Sequence, residues 1–120
     1  MDSILTSIKK LLGITEDYEH FDPDIITHIN TVLVILNQLG VGDENGFAIE
    51  DKTATWQDFL GDDNRLNLVK SYVHLKVRLL FDPPQSSVVR DAINNMISEL
   101  EFRISVEVDP QREEENQNGE

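Results

Sequence analysis

V-K-S-Y-V-H-L-K-V-R-L-L-F-D-P-P-Q-S-S, residues Val69 to Ser87, is an apolar segment of helical length, threaded with cations, in an otherwise acidic chain. Projected at about 100° per residue, Asn67, Lys70, Ser71, His74 and Arg78 share one polar stripe. Leu66, Leu68, Val69, Tyr72, Val73, Leu75, Val77, Leu79 and Leu80 fill the rest of the circumference. A helix that is apolar over most of its surface must be enclosed by protein, either its own core or neighbouring copies. Asp82-Pro83-Pro84 stops it, because proline cannot continue a helix and disfavours the α conformation in the residue before it. The pattern predicts a helix over residues 64–81, capped by Asp62 or Asp63. Lys76 falls inside the apolar arc. Either its stem lies on the core and its ammonium reaches water, or it pairs with an acid on an adjacent subunit. His74 is read as a solvent-facing member of the cationic stripe.

Working outward, Ser86 or Ser87 starts a fifth helix with the stripe Val89, Ile93, Met96, Ile97, Leu100 and Ile104. Upstream, Thr55 and Asp58 have capping-box spacing for a short helix from Trp56 to Leu60, closed by Gly61. The second helix has Asp22 as its expected N-cap, with Pro23 at the first helical position. Phe21 and Ile26 occupy hydrophobic-staple positions. Ile25, Ile29, Val32, Leu36 and Leu39 form its stripe, read as a core face rather than a self-association seam, and Gly40 ends it. Ile4, Leu5, Ile8, Leu11 and Leu12 mark a short first helix, capped by Asp2 or Ser3 and closed at Gly13. Between the second and third helices, residues 41–55 form a long connection with four acids, Asp43, Glu44, Glu50 and Asp51. Phe47, Ala48 and Ile49 are expected to form a short extended piece there, and so long a connection often carries function.

The pattern changes period at the C-terminus. Phe102, Ile104, Val106 and Val108 alternate with Arg103, Ser105 and Glu107, as in a strand. A lone strand in a helical chain has no internal partner, so it adds to a sheet in another protein or is simply a fraying helix end. From Asp109 onward no apolar anchor remains, and disorder is expected when the chain is free. The predicted architecture is all-α: a small bundle of four to five helices with a long loop and an extended C-terminal arm. Residues 1–105 form the domain and residues 106–120 an acidic tail.

Composition narrows the function. The chain has 120 residues, a formal net charge of −13 and no cysteine, so it forms one domain without disulfides or thiolate metal sites. The lack of cysteine fits an intracellular origin; the N-terminus lacks a signal-peptide pattern and no apolar run approaches bilayer-spanning length. The acidity repels nucleic-acid phosphates and anionic membranes, and serves either solubility or a partner with a basic face. No Walker loop, dinucleotide fingerprint or nucleophile elbow occurs. Asp43, Asn45 and Glu50 fail as a calcium loop because Phe47 and Ala48 stand where an oxygen ligand and a glycine are needed. His20, Asp22 and Asp24 make at most a weak metal set. The reading is of a non-enzyme without cofactor or metal.

Arg65, Lys70, Lys76, Arg78 and Arg90, half of the 10 lysines and arginines, lie in the fourth helix and its flanks. They are the candidate subunit interface: a basic stripe that pairs with acidic surface on a neighbouring copy, head to tail. The alternative is pairing within the subunit or exposure to water.

F-D-P-D-I-I-T-H-I-N (Phe21 to Asn30), L-N-Q-L-G-V-G (Leu36 to Gly42), W-Q-D-F-L (Trp56 to Leu60) and the opening stretch through Pro84 occur in the order seen in a family of tailed-phage proteins. Over residues 1–105 the chain resembles the head–tail connectors, also called head-completion or adaptor proteins, of siphophages and prophages. The resemblance implies a helical virion protein, made in the host cytoplasm, that forms a ring of about twelve subunits below the portal protein. Such a ring extends the DNA channel and docks a head-closure or tail-completion protein. The resemblance carries no catalytic residues. It assigns Phe102, Ile104, Val106 and Val108 as the portal-binding arm, acting by strand addition. Asp43, Glu44, Glu50 and Asp51 become candidate channel-lining acids, since DNA must pass without being held. The competing reading is an acidic DNA mimic that inhibits a host nucleic-acid-binding protein. That reading needs carboxylates in a phosphate-like array, whereas the clearest patterned surface here is cationic.

Overall fold

Five helices follow one another in a computed structural model: α1 (Ile4–Leu11), α2 (Asp22–Gln38), α3 (Trp56–Leu60), α4 (Leu66–Phe81) and α5 (Ser87–Asn118). Backbone is described for residues 2–118 and side chains for residues 2–106. The all-α expectation holds, and no strand forms among the described residues.

Helix α4 is the hub. It packs against α2, α5 and α1, while α1 also packs on α2. Val69, Tyr72, Val73 and Val77 of α4 are fully buried, as the near-continuous apolar circumference requires. Ile25, Ile29, Val32, Leu33 and Leu36 of α2 face them, with Ile4, Leu5 and Ile8 of α1 closing one side and Ile93, Ile97 and Ile104 of α5 the other. Leu11, predicted on the core stripe of α1, is instead 48% exposed.

Local signals explain most boundaries. The Ser3 hydroxyl caps α1 by accepting from the Thr6 amide at 3.2 Å. The Thr55–Asp58 capping box forms in both directions, at 3.1 and 2.9 Å. The Ser86 hydroxyl accepts from the Val89 amide at 3.3 Å as α5 begins. Two expected caps are not made. Asp22 is inside α2 rather than at its N-cap, where Phe21 stands without a side-chain bond. Its carboxylate turns instead to Lys9, 2.9 Å away. Asp63 does not cap α4, whose N-cap is Arg65. It accepts from the Arg65 amide and guanidinium, both at 2.9 Å.

The long connection contains no strand, so the extended piece at Phe47–Ile49 is not a sheet element. It is held by one side chain: Asn30 of α2 donates to the Ile49 carbonyl at 3.0 Å and accepts from its amide at 2.8 Å. Ile49 is thereby buried, and Phe47 packs on Phe59 with ring centroids 5.4 Å apart.

The strand-like alternation of Phe102 to Val108 is overridden: α5 runs through it. In a strand Phe102, Ile104 and Val106 would share a face. Here Ile104 is fully buried while Phe102 and Val106 are 69% and 40% exposed. Residues two apart project to nearly opposite sides of a helix, and residues four apart to the same side. Ile93, Ile97, Leu100 and Ile104, spaced four, three and four, supply the helical register that wins. Val108 lies outside the residues whose side chains are described.

Candidate assembly surface

The predicted basic stripe is not one surface. Arg65 is an internal clamp, its side chain 10% exposed. Its guanidinium pairs with Asp63 and donates to the carbonyls of Ile104 at 3.2 Å and Gly40 at 3.4 Å. One residue thus fastens the end of α2, the turn before α4, and α5. The pairing holds the Asp63 carboxyl below its ordinary pKa of 3.8.

Lys76 finds its acid within the chain. Its ammonium stands 3.9 Å from Glu101 of α5 and 5.9 Å from the centroid of the Tyr72 ring. Tyr72, itself buried, donates its hydroxyl to the same carboxylate at 2.7 Å. Desolvation first, then the Glu101 hydrogen bond and charge, push the Tyr72 pKa well up, so the phenol stays protonated as donor. Lys70 reaches Asp2 at 3.4 Å and sits over the Trp56 ring. Arg90 donates to the Pro84 and Gln85 carbonyls at 2.8 and 2.9 Å, bracing the turn after α4. Arg78 alone of the five is exposed and makes no ion pair among the described residues.

His74 is half-buried, not solvent-facing. Its Nε2 is enclosed without a hydrogen-bond partner. Burial, helped by the charge of Arg78, lowers its pKa from 6.5, against the opposing pull of a bond to the Leu11 backbone.

The other predicted elements lie on the outside. Asp43, Glu44, Glu50 and Asp51 are all exposed on the long connection. On α5, Val88, Phe102 and Val106 point away from the core and Met96 borders the packed stripe; they are 76%, 69%, 40% and 52% exposed. Helix α5 therefore packs one apolar stripe on α4, and on its other side exposes Phe102 and Val106 among polar residues that include the Glu99–Arg103 ion pair.

A buried lysine does occur, but it is Lys9, with 2% of its surface exposed. The signal was available: Leu5, Ile8, Lys9 and Leu12 have the spacing of one helix face. Its pairing with Asp22 also removes Asp22 from the weak metal set with His20 and Asp24. Among the described residues no group of three or more His, Cys, Asp or Glu is placed to hold a metal ion. Nor is any helix long and apolar enough to cross a membrane.

The described residues thus form a braced helical body with Phe102 and Val106 exposed on α5 and an exposed acidic loop. A family model described as a phage connector protein matches residues 4–111. The chain belongs to that family. It takes in nearly all of the described body, including the whole of α1 to α4 and α5 past Val106. No curated protein and no solved structure matches the chain. Membership of this connector family carries a structural head–tail role in the phage virion, and with it a portal or tail context.

Proposed function

We propose that the protein is a head–tail adaptor that assembles as a ring of about twelve subunits below the portal. The ring extends the DNA channel and offers a platform to the next connector or tail component. The observation that carries this reading is the pair of exposed apolar side chains near the end of the described part of α5. Phe102 and Val106 stay exposed directly opposite fully buried Ile104, in a chain of the connector family. A solvent-exposed Phe on a long helix is a binding anchor once covered.

In this reading α5 docks on the portal as a helix laid into a groove. Asp43, Glu44, Glu50 and Asp51 face the channel, where like charge keeps DNA from being trapped. Arg78 is the cation left for an acidic neighbour.

The test is binding to isolated portal rings. Phe102→Asp with Val106→Asp, both at exposed positions, leaves the fold intact and is expected to abolish binding. Full binding by that variant would reject the α5 docking mode. A ring reconstruction that puts residues 43–51 on the outer rim would reject the channel assignment.

A further inference from the structure

The α1–α2 connection has chemistry that the adaptor reading does not use. No lysine or arginine occurs between Lys10 and Lys52, while Glu16, Asp17, Glu19, Asp22 and Asp24 crowd its first part. Two points of this loop are stapled by one buried ammonium. Lys9 Nζ donates to the Glu16 carbonyl at 3.0 Å and pairs with Asp22 at 2.9 Å. Turn bonds from the Tyr18 amide to the Thr15 carbonyl and from the Asp22 amide to the Glu19 carbonyl, both 3.1 Å, fix the backbone between them.

What the staple displays is aromatic. Tyr18 is 50% exposed and His20 is exposed. Their ring centroids lie 6.2 Å apart, and each packs on Phe21, at 5.8 and 4.9 Å. Phe21 stands edge-on to Phe81 at 5.3 Å, tying the rings to the end of α4. Asp17, Glu19 and Asp24 are exposed around them, and none has a cationic partner among the described residues.

A buried lysine is weak evidence for added stability, because its desolvation offsets the attraction of its partners. Here it holds a surface loop in one geometry before any partner arrives, which lowers the entropic cost of binding. Exposed rings bordered by uncompensated carboxylates match a guanidinium. Its plane stacks on the ring while its N–H groups donate to carboxylate, in a geometry that a lysine ammonium cannot reproduce. We propose that the Lys9-stapled loop, residues 16–22 with Asp24, is a docking site for an arginine-bearing segment of a partner protein. This stands independently of the ring and of the α5 docking mode.

The experiment titrates the full chain with short blocked Gly-Ser peptides carrying arginines, lysines or neutral citrullines, read by calorimetry at low salt. The arginine peptide is expected to bind more tightly than the lysine peptide and the citrulline peptide not to bind. Tyr18→Ala with His20→Ala is expected to weaken arginine-peptide binding by about fivefold or more. Asp17→Asn with Glu19→Gln should weaken it and flatten its salt dependence. Asp43→Asn with Glu44→Gln should leave it unchanged. No binding, equal binding of the lysine peptide, or equal losses from the two acid pairs would overturn the proposal, the last by reducing it to overall acidity. Lys9→Met is expected to weaken binding while the chain still unfolds cooperatively. Should that variant not fold, the exposed Tyr18/His20 variant decides alone.

Discussion

Arg65 shows how far a charge read from sequence can stand from its role. The sequence groups it with Lys70, Lys76, Arg78 and Arg90 as a candidate interface cation, yet its side chain is largely enclosed by Asp63 and two backbone carbonyls. Removing it strands a partly buried carboxylate and two acceptors, so Arg65→Ala is expected to cost about 2–4 kcal/mol in urea unfolding. The same pair has an acid signature. Folding holds Asp63 below 3.8, so its contribution is complete above that pH and is lost as pH falls through the depressed value. Arg65→Ala should flatten that part of the acid limb. His74 acts in a higher window. Because its folded pKa lies below 6.5, the unfolded chain takes up the proton first on acidification. Stability present above pH 6.5 therefore declines as pH falls below it, and His74→Gln should reduce the decline in a series of melts. Neither environment was visible in the sequence, because the polar stripe of α4 does not reveal that Leu11 and α1 lie across from His74.

Among the elements, α5 is where local pattern and tertiary packing disagree. Read alone, Phe102 to Val108 alternates like a strand; read with Ile93 and Ile97, its Ile104 continues a helix stripe. The longer register prevails because α4 offers a complementary apolar face and no sheet edge exists among the described residues to receive a strand. The consequence is measurable. Ile104→Ala should destabilise by about 2–4 kcal/mol. Phe102→Ser should stay within about 0.5 kcal/mol of the native chain. A strand with both residues on one face would give similar losses. The long connection makes a second test. Gly42 has φ +83° and a Cβ there would meet Phe59 at 2.7 Å, whereas Gly46, at φ +91°, has open space around it. Gly42→Ala should therefore cost clearly more than the roughly 1–2 kcal/mol of left-handed strain expected for Gly46→Ala. The Thr55–Asp58 capping box and the proline stop after α4 were legible because they are local. The Asn30 bracket on Ile49, 19 residues away, was not.

At the scale of the whole molecule, the net charge of −13 sets the behaviour. Self-repulsion opposes the compact state, so raising ionic strength through the physiological range should raise the melting temperature in a scanning fluorescence series. Charge is also the basis of two of the proposed contacts, acids for the channel and a stapled acidic loop for arginine, whereas the portal contact rests on exposed Phe102 and Val106. The helical class, the order of the five helices, the caps at Ser3, Thr55–Asp58 and Ser86 and the stop before Pro83 are written in the sequence, because each depends on neighbours within a turn or two of chain. The sequence also carried the resemblance to the connector family whose model matches residues 4–111. Only the tertiary structure decided which cations are buried, which face of α5 is left uncovered and which lysine is enclosed. Those depend on what lies opposite in space. Lys9 and Lys76 occupy similar places in their helical patterns, but Asp22 and the Glu16 carbonyl enclose the first while the second stays within reach of water beside Glu101.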